Sequence, residues 1–229
     1  MPVPAAPLNE TRLTVKERVY NTLLEWIVEG TLLPGEKVSD VEIAQYFSAS
    51  RTPVREAMQL LADQRLIDVI PGRESKVAPI DPDQARSNYQ LMGNLNAVAL
   101  DMCARRLDGN FLARLRELHA EMSRAAAAGD FRRVREVDRE FHFAFFHQAD
   151  NYFLVSFART LYTHCVRIEN LYFSRENDYS ESLRQHEQIL RALEAGELEE
   201  ARRRLIQNWT DTVKDFPEPA DPPAERDLA

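Results

Sequence analysis

Apolar side chains recur every three or four residues along most of this chain, which is the spacing of one face of an α-helix. A first helix is predicted to begin near Thr14, the first residue of a Thr-x-x-Glu capping box, and to end at Gly30. Ser39 begins another such box and predicts a second, short helix. A third helix is predicted over about residues 52–64.

The pattern changes after the third helix. Residues 66–70 and 76–80 are two short apolar runs separated by Pro71-Gly72, and this order predicts strand, turn and strand. Three helices followed by a β-hairpin, or wing, are the arrangement of a winged helix-turn-helix DNA-binding domain.

Beyond residue 81 every predicted element is a helix. Asp81 and Gln84 have capping-box spacing and Pro82 suits the first helical position, so a new domain begins here. Short polar breaks separate six predicted helices, at about 83–107, 110–128, 131–149, 151–173, 180–195 and 198–214. The predicted fold class is therefore mainly α, an N-terminal winged helix-turn-helix with a C-terminal antiparallel bundle of six to seven helices.

Four segments follow from this pattern. The Pro/Ala-rich residues 1–11 are predicted to be a disordered arm, and the Pro-rich, acidic residues 216–229 a disordered tail. Residues 12–80 form the predicted DNA-binding domain. Residues 81–215 form the predicted helical domain, which offers the larger apolar surface for dimerisation.

Composition narrows the class of protein. The net charge of −8 and the absence of a basic half argue against non-specific coating of nucleic acid, so DNA binding must depend on local placement of Lys and Arg. The chain has no apolar run long enough to span a membrane and no secretory signal pattern. Its two cysteines, Cys103 and Cys165, do not suggest a disulfide framework. We expect a cytoplasmic protein that does not act at a membrane. No nucleophile triad, P-loop or glycine-rich cofactor turn is present, so no enzyme is predicted.

The third helix has two distinct faces. Val54, Ala57, Met58 and Leu61 share one stripe and are expected to pack inward. Arginine can bind phosphate or fork onto guanine, glutamine can pair with adenine, and a threonine at a helix start suits a phosphate. The polar residues of the other face are Arg51, Thr52, Arg55 and Gln59, and Gly72 and Arg73 lie at the wing tip. The alternative is an ordinary three-helix domain with solvated arginines.

Two stretches carry a family resemblance, Gly-Thr-Leu-Leu-Pro-Gly-Glu-Lys-Val at 30–38 and Ser-Arg-Thr-Pro-Val-Arg-Glu-Ala at 50–57. Together they resemble the N-terminal domain of GntR-family transcriptional regulators. The resemblance implies that Arg51, Thr52, Arg55, Gly72 and Arg73 contact DNA. The wing departs from the family pattern, because Glu74 stands where a glycine is usual.

The helical half resembles the ligand-binding domain of the FadR-type subfamily, an FCD-like domain. Many members hold one divalent metal through an aspartate and three histidines. The resemblance assigns these positions to Asp138 and His142, one turn apart on a helix, and to His186. The fourth position is Asn208.

The substitution at Asn208 leaves three interpretations open. A divalent metal, zinc or nickel by preference, can be held with water or an effector carboxylate completing the shell, although an amide oxygen is a weak ligand. The site can instead have lost its metal and bind the ligand directly. In the third interpretation, His142 and His186 are hydrogen-bonded core histidines.

A second departure concerns effector binding. The family often has an arginine in the first helix of this domain where Met92 stands here. Arg167 is a replacement that could hold an effector carboxylate together with Asn208, and the alternative is that Arg167 is a solvated surface charge.

These features predict a DNA-binding regulator, most simply a repressor, whose operator affinity a small acidic metabolite controls. A single recognition helix contacts only a few base pairs, so a homodimer on a palindromic operator is expected. Two alternatives are a metal-dependent enzyme centred on Asp138, His142 and His186, and a DNA-binding protein without a ligand.

Overall fold

The computed structural model describes residues 13–69, 74–172 and 179–214. Within it the chain divides into two compact units, one ending at Pro79 and the other beginning at Ile80. The predicted arm at 1–11, the predicted tail at 216–229, and Gly72 and Arg73 at the wing tip lie outside the described residues.

The N-terminal unit is a winged helix-turn-helix, as predicted. Thr14 and Glu17 form the reciprocal capping box, and Gly30 ends the first helix in the left-handed conformation, with φ 79°. A three-stranded antiparallel sheet has the order β1-β3-β2. The elements are α1 (Val15–Glu29), β1 (Lys37–Val38), α2 (Asp40–Tyr46), α3 (Arg51–Asp63), β2 (Ile67–Asp68) and β3 (Ser75–Val77).

The predicted inner face of α3 is confirmed. Val54, Ala57, Met58 and Leu61 are all buried and pack with the apolar faces of α1 and α2. The first strand was not predicted, because a strand of two residues contributes no alternation to the sequence. It pairs with β3, Lys37 lying opposite Lys76, and the two wing strands are shorter than predicted.

The second unit is a helical bundle. Its elements are α4 (Pro82–Cys103), a 3₁₀ turn (Ala104–Arg106), α5 (Gly109–Ala127), α6 (Phe131–Ala149), α7 (Tyr152–Tyr172), α8 (Ser180–Glu194) and α9 (Leu198–Asp211). The prediction that the first of these helices continues to residue 107 is wrong. After Cys103 the backbone changes from an α-helix to a 3₁₀ turn, and the Arg106 side chain donates a hydrogen bond to the carbonyl of Ala149 at 2.8 Å. The Asp81 cap is present, but Gln84 donates to Asn88 instead of completing the box.

Helix α4 packs against α6, α7 and α9 and so lies at the centre of the bundle. Gly93 permits a close approach, because a Cβ at this position would lie 3.1 Å from the Cα and carbonyl oxygen of Ile206 on α9. The next turn of α4 carries Asn96, which is thereby held against α6 and α9. Within the described residues, no helix is both long enough and apolar enough to cross a bilayer.

Candidate functional site

Three of the predicted metal-ligating side chains meet inside the helical unit. Asp138 and His142 lie one turn apart on α6, and His186 comes from α8. Their ligand atoms all lie within 4.8 Å of one another. The Nε2 atom of His186 is 3.3 Å from Nε2 of His142 and 3.4 Å from Oδ1 of Asp138. We call these residues the Asp-His-His cluster.

Asn96 fixes the orientation of His142. Its Nδ2 donates to the backbone carbonyl of His142 at 3.2 Å, and its Oδ1 accepts from Trp209 Nε1 at 3.2 Å. The same Oδ1 lies 2.7 Å from His142 Nδ1. Because a carbonyl oxygen only accepts, this network assigns the proton of His142 to Nδ1. The lone pair of Nε2 therefore faces the cluster, and sequence analysis gave Asn96 no role.

His186 lies flat on an aromatic ring in the bundle core. Its ring stacks on Phe141 with centroids 4.1 Å apart, and its Nε2 faces the cluster. Its Nδ1 is buried, and no hydrogen-bond partner for this atom occurs among the described residues. The packing thus holds the ring in place while Nε2 lies beside Asp138 and His142.

Burial keeps both histidines uncharged. It lowers the pKa of His142 to about 3, with a hydrogen bond to Asn208 acting in the opposite direction. The pKa of His186 is also lowered, first by burial and then by His142 and His119. Neutral imidazole is the form that binds a metal.

The donor set and its spacing fit a divalent metal. Two nitrogens bound to zinc at about 2.1 Å in a tetrahedral shell are about 3.4 Å apart. The separations of 3.3 Å and 3.4 Å within the cluster match this spacing. The core-histidine interpretation accounts for the burial and, through a hydrogen bond between the two Nε2 atoms, for the 3.3 Å spacing, but it leaves Nδ1 of His186 without a partner among the described residues.

The fourth predicted ligand, Asn208, lies on α9 beside His142. Its Nδ2 donates to Gln185 Oε1 at 2.8 Å, and Gln185 in turn donates to Asp211 at 2.9 Å. These bonds orient the amide, so any contribution of Asn208 to a metal is through its oxygen. The role of Asn208 as a ligand stays a prediction.

A second, partly buried carboxyl interacts with Asp138, and sequence analysis did not identify it as part of the site. Glu169 on α7 accepts a hydrogen bond from the Tyr89 hydroxyl at 3.0 Å. Burial raises its pKa to about 7, although Tyr89 and Arg135 act in the opposite direction. Burial and the charge of Glu169 also raise the pKa of Asp138 to about 7. The helical unit therefore holds two carboxyl groups that are costly to ionise.

Arg167 is 2% exposed, so the interpretation of this residue as a solvated surface charge is wrong. Residue spacing alone gave no indication that this face of α7 is covered. The effector-binding role of Arg167 stays a prediction.

The predicted DNA-binding side chains of α3 are exposed, as the hypothesis requires. Arg51 and Arg55 both hydrogen-bond to Asp40 of α2. Thr52 is exposed at the start of α3, and Gln59 donates to Asp63 at 2.9 Å. The unusual Glu74 in the wing forms an ion pair with Lys37 of β1, so its charge is paired within the protein.

Comparisons with known proteins agree with both units. Residues 15–77 match the model described as "Bacterial regulatory proteins, gntR family", and residues 88–210 match the FCD domain. A winged helix-turn-helix joined to a helical ligand-binding domain defines a class of transcriptional regulators. The chain belongs to the gntR family of bacterial regulatory proteins, with an FCD domain as its helical unit, as the sequence predicted.

Named relatives are regulators and not enzymes. The HTH-type transcriptional regulator McbR of Escherichia coli is 27% identical over 133 residues, which are 58% of this chain and 60% of McbR. The HTH-type transcriptional repressor RspR of the same species is 39% identical over 80 residues, 35% of each chain. The matched stretches thus span about a third to three-fifths of these relatives. A solved structure titled "E. coli McbR/YncC" shares the fold, with a TM-score of 0.69, 22% identity, and coverage of 88% of this chain and 96% of that one.

The raised pKa of Glu169 gives a pH-dependent prediction. A carboxyl whose pKa is raised on folding contributes stability at low pH that is lost as pH rises through about 7. Glu169→Gln removes the charge and keeps an acceptor for Tyr89. We expect the variant to stabilise the metal-free protein at pH 8 by ~1–3 kcal/mol, and by progressively less towards pH 4.

Thermal unfolding in the presence of a chelator measures this effect at the two pH values. Glu199→Gln, an exposed position in the first turn of α9, is the control and should change little. Equal effects of Glu169→Gln at both pH values would contradict a buried, costly carboxylate.

Proposed function

We propose that this protein is a cytoplasmic transcriptional repressor that binds a palindromic operator as a homodimer and responds to a small acidic metabolite. The observation that carries the proposal is the Asp-His-His cluster, with two buried histidines and a partly buried aspartate, in a helical unit on the same chain as a winged helix-turn-helix. That the protein represses transcription, and does not activate it, is supported by the name of the relative RspR, a transcriptional repressor.

The effector class follows from the chemistry of the cluster. Asp138, His142 and His186 would hold a divalent metal, zinc or nickel by preference, through one carboxylate oxygen and two imidazole nitrogens. Such a metal supplies open coordination positions that take a carboxylate or hydroxy-acid oxygen. We propose that Asn208 contacts the same ligand through its side-chain oxygen, and that Arg167 is the cationic partner of the ligand. The second candidate is direct binding of the effector without a metal. Asn208 favours this candidate, because an amide oxygen is a weak metal ligand.

Regulation requires that the effector bind one state of the protein more tightly than the other. In the proposal, the acidic metabolite favours the state with lower operator affinity. The protein's own contribution is to orient the ligand-binding groups before the ligand arrives. Asn96 orients the imidazole of His142, and Phe141 stacks on that of His186.

The metal proposal predicts a change in thermal stability. Added zinc or nickel should raise the melting temperature of the parent protein, because a ligand that binds only the folded state stabilises it. Asn208→His should enlarge this shift, and His142→Ala should abolish it. His147→Ala, an exposed histidine on the same helix, is the matched control and should keep the parent's shift.

Differential scanning fluorimetry across a panel of divalent metals, with elemental analysis of the purified protein, makes the measurement. If neither the parent nor Asn208→His responds to any metal, the site is metal-free. His142 and His186 are then direct effector contacts or core histidines.

The DNA proposal predicts a loss of operator affinity. Arg55→Ala should weaken binding by about 1–3 kcal/mol if Arg55 forks onto a guanine, and binding should fall steeply with salt. Affinity is measured on the promoter fragment beside the protein's own gene, at two salt concentrations. Arg18→Ala on α1 removes an equal charge at another exposed position and is the control. Unchanged affinity in both Arg51→Ala and Arg55→Ala would remove α3 as the DNA-binding helix.

The dimer proposal rests on exposed apolar side chains of the helical unit. Helices α4 and α7 pack against each other, and both leave large apolar residues in solvent. We propose that a second copy of the chain covers them. The residues are Leu91, Val98 and Met102 on α4 and Tyr152, Phe153 and Phe157 on α7.

The double variant Phe153→Asp with Phe157→Asp should be monomeric by light scattering at micromolar concentration and should bind a palindromic operator more weakly. Leu198→Asp, at a less exposed apolar position on α9, is the control and should stay dimeric. A parent protein that is monomeric yet binds its operator tightly would contradict the dimer.

A further inference from the structure

One carboxylate binds both arginines of the DNA-binding helix. Asp40, the first residue of α2, accepts hydrogen bonds from Arg51 Nε at 3.2 Å and from Arg51 Nη2 at 3.0 Å and 2.9 Å. It also accepts a bond from Arg55 Nε at 2.5 Å. The two guanidinium groups lower the pKa of Asp40, the bond from Arg55 contributing most, so the carboxylate is charged at neutral pH.

The geometry leaves the outer edge of Arg55 available. Arg55 contacts Asp40 through Nε alone, and none of its hydrogen bonds to other described residues involves Nη1 or Nη2. The side chain of Asp40 is 19% exposed, whereas those of Arg51 and Arg55 are 52% and 63% exposed. The carboxylate thus lies beneath the guanidinium groups and holds their inner edge.

This arrangement has opposite consequences for bases and for phosphates. An arginine recognises guanine with two parallel N–H groups, and a side chain already held in one rotamer loses less entropy on binding. A phosphate can also be bound by two N–H groups, but it is negatively charged, so a carboxylate behind the guanidinium weakens the attraction to a phosphate more than that to a neutral base. A carboxylate in this position therefore favours base contacts relative to backbone contacts.

We propose that Asp40 is a specificity-determining positioning residue, which directs Arg55 towards a base and lowers affinity for DNA of unrelated sequence. The inference rests on the proposed role of α3 in DNA binding. The competing interpretation is an autoinhibitory contact, in which phosphate must displace Asp40 before DNA binds. The two interpretations predict opposite effects on operator affinity when the carboxylate is neutralised.

The test compares Asp40→Asn with Glu42→Gln. Both acids lie in the first turn of α2, so each variant removes one charge at the same helix end, but no ion pair of Glu42 occurs among the described residues. Affinity is measured for an operator duplex and for a scrambled duplex of equal length, at two salt concentrations. Circular dichroism and thermal unfolding confirm that both variants fold.

We expect Asp40→Asn to weaken operator binding about tenfold, since part of a guanine contact is lost. Binding to the scrambled duplex should tighten several-fold with a steeper salt dependence, because Arg51 and Arg55 become available to phosphate. Glu42→Gln should change both affinities by the same factor and keep their ratio. In an Arg55→Ala background, Asp40→Asn should no longer lower operator affinity, since coupled residues are non-additive.

Two results would overturn the inference. If Asp40→Asn and Glu42→Gln raise both affinities alike, Asp40 acts only as a charge. If Asp40→Asn tightens operator binding more than scrambled binding, Asp40 is an autoinhibitory contact. Failure of the underlying proposal is distinguishable, because Arg51→Ala and Arg55→Ala would then leave operator affinity unchanged.

Discussion

The amide of Asn96 is the interaction on which the geometry of the helical unit depends. It joins α4 to the backbone and ring of His142 on α6 and to the indole of Trp209 on α9. All three groups are buried, so loss of the amide would leave an indole N–H and an imidazole N–H without partners, at about 1–3 kcal/mol each. The close approach of α4 and α9 at Gly93 holds the amide in reach of both. The tautomer of His142 is therefore a consequence of helix packing.

The same packing creates an electrostatic cost. Asp138 and Glu169 are carboxyl groups whose ionisation burial opposes, and their mutual repulsion adds to it at Asp138. Their neighbours His142 and His186 are held neutral and so offer no positive charge. A bound cation would offset this cost at Asp138, which links ligand binding to the stability of the whole helical unit.

The sequence predicted local features well and contacts between distant residues poorly. The inner face of α3 and the cap at Thr14 follow from spacing within one helix, and both are confirmed. The pairing of Asp138 with His142 likewise follows from a separation of one turn. Asn96 and Glu169 lie on other helices, and no periodicity indicates which distant helix each will meet. Asp40 was missed for the same reason, since its partners lie 11 and 15 residues further along the chain.

The carboxylates of Asp40 and Asp138 differ in how their charge is compensated. Asp40 is bound by two guanidinium groups, its pKa is lowered, and no further cation is needed. Asp138 has a long hydrogen bond from Ser182 at 3.5 Å, and within the described residues neither lysine nor arginine pairs with it. Its pKa is raised instead. Buried carboxylates are retained when something compensates their charge. The charge of Asp40 is thus paired within the protein, whereas that of Asp138 is not paired by a lysine or arginine among the described residues, and this contrast supports the proposal that Asp138 takes part in binding a cation.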